Sequence, residues 1–351
     1  MRRVLLAVAS ACVVSVSAAP CDVYAAGAAP CVAAYSTLRA LSSTYSGPLY
    51  VVRRASDNTT RAVPTRAPGG FANADVQDAF CAGTSCEVWK LVDQSAFSND
   101  LSTAPPGGAA RHVDNGVNAS ALPVRLPDGS RAYGMLFVSG ANQGYRIDIT
   151  NSVAVGNNAE TIMMVTSSRA FNDKCCFDFG NAEANNLDTG EGSMEAVYFG
   201  SANTTGKGWC GGIGSGPFVM ADLESGIWAC ADRPGVNPGT VTMNATFVSA
   251  MVKSFGDVPP YGRWQLRAGD AAAGPLATQF DGPRPAQAPG RAPYYPMRLT
   301  GSIILGTGGD NSDGGAGVFL EGFVLRGAST EAADAAVQTD VNSFYSQASF
   351  I

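Results

Sequence analysis

The chain reads as an all-β sandwich or barrel. Glycine supplies 41 of its 351 residues, aromatic and β-branched runs are short, and turn signals recur about every ten residues. Strands are expected at Leu49–Arg53, Val88–Val92, Ala132–Val138, Met163–Thr166, Glu195–Phe199, Pro217–Leu223, Thr240–Val248, Trp264–Ala268, Gly301–Leu305 and Val318–Leu325, where apolar and β-branched residues stand between turn formers. Two segments read as helical. One is Ala33–Leu41. The other, Thr330–Ser346, is clearer, because Ala333, Val337, Val341 and Phe344 fall on one helix face. The Pro/Gly-rich stretch Asp281–Pro296 is read as a long loop, since too few residues follow it for a second core.

The first 18 residues have the layout of a secretory leader: Arg2 and Arg3, an apolar run from Val4 to Val16, then Ser17, Ala18 and Ala19. That run is too short for the roughly 20 residues of a membrane span and is broken by Ser10 and Ser15. Residues 19–351 are therefore expected to be exported as one soluble domain. Cys12 lies in the leader, which leaves Cys21, Cys31, Cys81, Cys86, Cys175, Cys176, Cys210 and Cys230, an even count that reads as four disulfides. Spacing suggests Cys21–Cys31, Cys81–Cys86, Cys175–Cys176 and Cys210–Cys230, and pairing of Cys175 and Cys176 with Cys210 and Cys230 is the alternative. Sequons at Asn58, Asn118, Asn203 and Asn244 are compatible with glycosylation in a eukaryotic host.

A formal charge of −6, a pI near 4.9 and only 15% charged residues argue against nucleic acid as a partner and allow a neutral one. The single histidine, His112, stands in a polar stretch read as a surface loop. Its solitude excludes a His-rich metal centre, and no Gly-x-Ser-x-Gly elbow accompanies it. Acid/base chemistry must fall to carboxylates, with no metal or cofactor.

Three constellations could carry that chemistry. In Pro217–Glu224 the alternation puts Met220, Asp222 and Glu224 on one sheet face. A solvated sheet edge is the bland reading, but Trp209 and the Gly-rich Cys210–Gly216 turn lie just upstream, and an aromatic plane beside acids suits a sugar ring. In Gly306–Gly317 the glycines frame Asp310; the alternatives are an ordinary turn or a calcium loop, the latter disfavoured by Ser312 and Gly314 at ligand positions. Adjacent Cys175 and Cys176, if bonded to each other, form a rigid platform, with Asp178 two residues on. Gly206–Gly211 fits Gly-x-Gly-x-x-Gly without the strand and helix that a dinucleotide site needs. Glu183, Asp188, Glu191 and Glu195 read as solvated surface or supporting groups.

Several of these segments resemble the catalytic domain of the glycoside hydrolase family 54 α-L-arabinofuranosidases. They are Pro20–Tyr24, Cys31–Tyr35, Gln77–Cys81, Ala104–Gly108, Cys175–Glu183, Met194–Tyr198, Asp222–Glu224 and Ile303–Ser312, spread over nearly all of residues 19–351. The resemblance implies a β-sandwich of jelly-roll (concanavalin-like) type. It implies a secreted, monomeric, retaining enzyme that releases terminal L-arabinofuranosyl residues from arabinose-containing plant polysaccharide. Glu224 takes the nucleophile's place and Asp310 the acid/base's, while Cys175, Cys176, Asp178, Trp209, Asp222, Ser225 and Gly309 would line the sugar pocket. The chain departs from the family pattern at Ser225, where Asn is frequent, at Cys210 and Cys230, and in lacking room for a C-terminal arabinose-binding β-trefoil. A lectin-like module without turnover and a β-xylosidase using the same carboxylates are the competing readings.

Overall fold

The computed structural model describes residues 18–202, 209–231, 235–256, 262–288 and 290–351. The leader up to residue 17 and the Asn203 sequon lie outside them. In chain order the elements begin with α1 (Pro20–Ala26), β1 (Cys31–Ser36), β2 (Pro48–Arg54), β3 (Thr60–Pro64), α2 (Asp75–Phe80), β4 (Cys86–Leu91), β5 (Leu101–Thr103), β6 (Leu122–Arg125) and β7 (Arg131–Phe137). Next come β8 (Tyr145–Ile147), β9 (Glu160–Thr166), β10 (Asp178–Ala182), β11 (Glu195–Gly200), β12 (Cys210–Ile213), β13 (Phe218–Asp222), β14 (Ile227–Trp228), β15 (Gly235–Val241) and β16 (Val248–Ser254). The last are β17 (Arg263–Asp270), β18 (Ala277–Pro283), β19 (Ser302–Leu305), β20 (Gly317–Phe319), β21 (Glu321–Arg326), α3 (Glu331–Tyr345) and β22 (Ser349–Phe350).

Two large sheets form the expected sandwich. One has six strands in the order β1-β21-β9-β16-β17-β18, and the other ten in the order β14-β13-β11-β10-β19-β8-β5-β4-β2-β3. Their inner faces supply the core, including Phe179, Val197, Phe199, Val219, Ala221 and Val252. The six-stranded sheet is covered on its outer face too. Asp334 of α3 receives Arg267 at 2.8 Å and pairs with Lys253, while Tyr24 of α1 donates to the same carboxylate. With both faces closed, β1, β9 and β16 are buried along their whole length. Among the described residues no helix is long and apolar enough to cross a membrane.

Three expectations are corrected. Ala33–Leu41 is not a helix: Cys31–Ser36 is β1, paired antiparallel with β21. Its small apolar run is buried on both faces and lacks the alternation that marks a half-exposed strand. Thr240–Val248 is not one strand, since β15 ends at Val241 and β16 starts at Val248. Val318–Leu325 is broken at Leu320, because β20 pairs with β7 and β21 pairs with β1 and β9. The C-terminal helix is as expected, and Thr330 caps it by accepting a hydrogen bond from the amide of Ala333 at 3.2 Å. Disulfides join Cys21 to Cys31, Cys81 to Cys86, Cys175 to Cys176 and Cys210 to Cys230.

Candidate active site

The outer face of the ten-stranded sheet carries the acids. Phe179, Val197 and Ala221 turn into the core, so the alternating residues Asp178, Gly180, Ala196 and Asp222 turn away from it. Asp222 stands opposite Ala196, which pairs with Gly180. Both aspartates are buried, and Cys176 Sγ lies 3.4 Å from Asp222 Oδ2. Burial pushes both carboxyls well above the usual carboxylate range; the charge of Asp178 raises Asp222 further.

The sheet alternation does not extend to Glu224. β13 ends at Asp222, and Leu223–Gly226 forms the turn into β14, closed by the amide of Leu223 on the carbonyl of Gly226 at 3.0 Å. Glu224 has φ +79°, a left-handed conformation that aims its side chain independently of the strand. Its Oε1 accepts from Thr189 N (2.9 Å), Thr189 Oγ1 (2.9 Å) and Gly190 N (2.7 Å), and its Oε2 from Gly192 N (2.8 Å) and Ser193 N (3.0 Å). Burial alone would raise this carboxyl; the bonds from Ser193, Thr189 and Gly190 outweigh it and hold the group below the ordinary glutamate range. Glu224 is therefore an anion at neutral pH. Ser225 Oγ donates to Asp188 Oδ1 at 2.7 Å. Trp209 packs on the same turn: a Cβ on Gly226 would stand 3.0 Å from Trp209 Nε1 and 2.8 Å from Trp228 Nε1.

The loop after β19 delivers Asp310. Its carbonyl accepts from Ala109 N at 2.9 Å, and its Oδ1 from Ser312 N at 3.2 Å. Asn311, at φ +63°, donates to Asp114 Oδ1 at 3.1 Å, and His112 Nε2 is 2.8 Å from Asp313 Oδ2, so the lone histidine braces this loop from a surface position. Cys176 N donates to Ser312 O at 2.9 Å, which seats the vicinal disulfide beside Asp310's loop. Glu183 feels the charges of both Glu224 and Asp310, and Asp222 and Asp178 feel those of Glu183 and Asp310.

Residues 20–346 match the family model described as alpha-L-arabinofuranosidase B, catalytic. The chain belongs to this family. It is 45% identical over 329 residues to a probable alpha-L-arabinofuranosidase B of Aspergillus clavatus, covering 93% of this chain and 62% of that protein. It is 44% identical over 341 residues to an arabinofuranosidase/β-xylosidase of Trichoderma koningii, covering 95% of this chain and 65% of that one. The chain thus spans less than two thirds of the length of these curated relatives. A crystal structure of an arabinofuranosidase complexed with arabinofuranosyl-α-1,2-xylobiose superposes with a TM-score of 0.86 at 40% identity, covering 95% of this chain and 66% of that one.

Within this arabinofuranosidase B fold the acidic cluster divides between its two readings. Asp188 and Glu191 are exposed, but Glu183 and Glu195 are buried. Glu195 pairs with the buried Arg284, and Glu183 lies buried against Gly309. Sequence reasoning also missed Arg146, whose guanidinium donates to the carbonyls of Gly309 and Glu183. A signal for it existed. A charge in the apolar stretch Tyr145-Arg146-Ile147 must find partners when the strand is buried. The Thr189–Ser193 segment that wraps Glu224 had no such signal, because four of its five donors are backbone amides.

Proposed function

We propose that the chain is a retaining, exo-acting α-L-arabinofuranosidase with Glu224 as nucleophile and Asp310 as general acid/base. The observation that carries this reading is the unequal treatment of two carboxyls that both act on the buried Glu183. Glu224 is fixed as an anion by five hydrogen bonds. Asp310 stands on an opposing loop with one amide donor, that of Ser312, on its Oδ1. In the first step a Glu224 oxygen bonds to the anomeric carbon while the glycosidic C–O bond breaks, and Asp310 transfers its proton to the departing oxygen. In the second, Asp310 takes a proton from water, whose oxygen bonds to the anomeric carbon as the Glu224 ester bond breaks, so configuration is retained.

Trp209, the Cys175–Cys176 pair, Asp178, Asp222, Ser225 and the Gly309 backbone surround the sugar in this reading. Its substrate is the terminal L-arabinofuranosyl residue of arabinoxylan or arabinan, met outside the cell by a monomer whose residues 19–351 form one catalytic domain. The ligand named for the solved arabinofuranosidase supports an arabinofuranose linked to xylose. The name of the Trichoderma koningii relative favours β-xylosidase activity as the second reading.

Release of 4-nitrophenol from the α-L-arabinofuranoside and the β-xyloside separates the two. Glu224→Ala should lose at least about 10³-fold in kcat, with azide restoring turnover, and Asp310→Asn about 10²- to 10⁴-fold. No release from either glycoside by the wild type, or full activity in both variants, would refute the proposal.

A further inference from the structure

Gly309, the residue before Asp310, does not have the positive φ that reserves a position for glycine. What excludes a side chain there is Glu183. A Cβ on Gly309 would stand 1.9 Å from Glu183 Oε2 and 2.4 Å from Oε1, so the carboxyl lies flat against the Gly309 backbone. Arg146 clamps the other side by donating to the carbonyls of both residues. Glu183 is 2% exposed, and its Oε2 has no hydrogen-bond partner among the described residues.

We infer that Glu183 is a positioning residue for Asp310: its carboxyl braces the Gly309–Asp310 peptide and sets where Asp310 meets the leaving group. This rests on Asp310 being the acid/base. The groups that act on Glu183 are Glu224 on the β13–β14 turn, Asp310 on the loop itself and Arg146 on β8, and Glu183 in turn acts on Asp178 and Asp222. Burial first, then the charges of Glu224 and Asp310, push it up to about 8, against the opposing pull of its own backbone amide and Arg146. It braces the turn as a neutral carboxyl. An anion in its place would repel both catalytic groups.

The test uses leaving-group dependence, because a misplaced acid matters only where the leaving group needs a proton. On methyl α-L-arabinofuranoside, Glu183→Ala should lose about tenfold or more in kcat/KM. On the 2,4-dinitrophenyl glycoside, whose leaving group departs unprotonated, it should lose less than about threefold. Glu183→Gln, neutral and of the same shape, should stay within about threefold of wild type on both below pH 7. Gly309→Ala forces the carboxyl away without altering it and should reproduce the Glu183→Ala signature, so it serves if that variant does not fold. The double variant should be no worse than the poorer single one. Equal losses on both glycosides, or no loss on either, would overturn the inference. Asp310→Asn is the control. If it lacks leaving-group dependence, the acid/base assignment itself falls; if it alone shows it, only the role of Glu183 falls.

Discussion

Breaking the Cys210–Cys230 bond by Cys210→Ser with Cys230→Ser perturbs stability and site together. The two cysteines are 20 residues apart, and the ring they close contains β13, the Glu224 turn and β14. Loop-closure entropy for that length is about −11 cal/mol/K, or about 3 kcal/mol at 25 °C. Globular chains gain about 2.1 cal/mol/K per residue on unfolding, about 0.7 kcal/mol/K for a chain of this size, so the loss corresponds to a fall in Tm of about 5 °C. Removing Cys81–Cys86, only 5 residues apart, should cost about 2 kcal/mol and about 3 °C. Differential scanning calorimetry without reductant measures both. The larger loop should also show a raised KM, since the bond anchors Cys210, the residue that follows Trp209. An unchanged Tm in the Cys210/Cys230 variant, or a larger loss at Cys81/Cys86, would refute the chain-entropy argument here.

Three other outcomes are expected. Arg39 reaches Glu321 with two bonds, at 2.7 and 2.8 Å, and Asp340 of α3 at 2.7 Å; Arg39→Ala strands a buried Glu321 and should cost about 3–5 kcal/mol in urea unfolding, with a loss under about 1 kcal/mol contradicting it. Thr330→Ala removes the cap of α3 and should cost about 1 kcal/mol by the same measurement, which a Thr330→Ser control should largely recover. Glu183, raised in the folded state to about 8 from 4.5, stabilises fully below pH 4.5 and loses that contribution as pH rises through 8. The wild type should therefore weaken by up to about 5 kcal/mol relative to Glu183→Gln across that window, and parallel stability curves for the two proteins would refute the assignment.

Strands whose neighbours leave one face distinct were legible: the readings at Leu49–Arg53, Val88–Val92 and Trp264–Ala268 fall within a residue or two of β2, β4 and β17. Where burial is two-sided the periodicity vanishes, which is why β1 passed for a helix. Partner choice is equally silent in sequence: nothing in the run Val318–Leu325 says that the chain changes sheets at Leu320. The site was legible only in parts. Asp222 follows from alternation, since it remains inside β13. Glu224 does not, because a non-glycine residue at φ +79° breaks the pattern one step later. Its relation to Asp310 came through the resemblance, as no local rule joins residues so far apart. Glu183 reads as solvated surface or a supporting group, an alternative that neighbouring acids in sequence leave open, and only the fold shows it buried against Gly309.

The wrapping of Glu224 by Thr189–Ser193 has a further consequence. A carboxylate offers about four lone-pair sites, and five donors already occupy them. In the proposed double displacement, the attacking oxygen gives up one of these donors, the Thr189 hydroxyl or a main-chain amide, as it bonds to the anomeric carbon. Each turnover in that scheme would then include a partial unwrapping and rewrapping of this short segment.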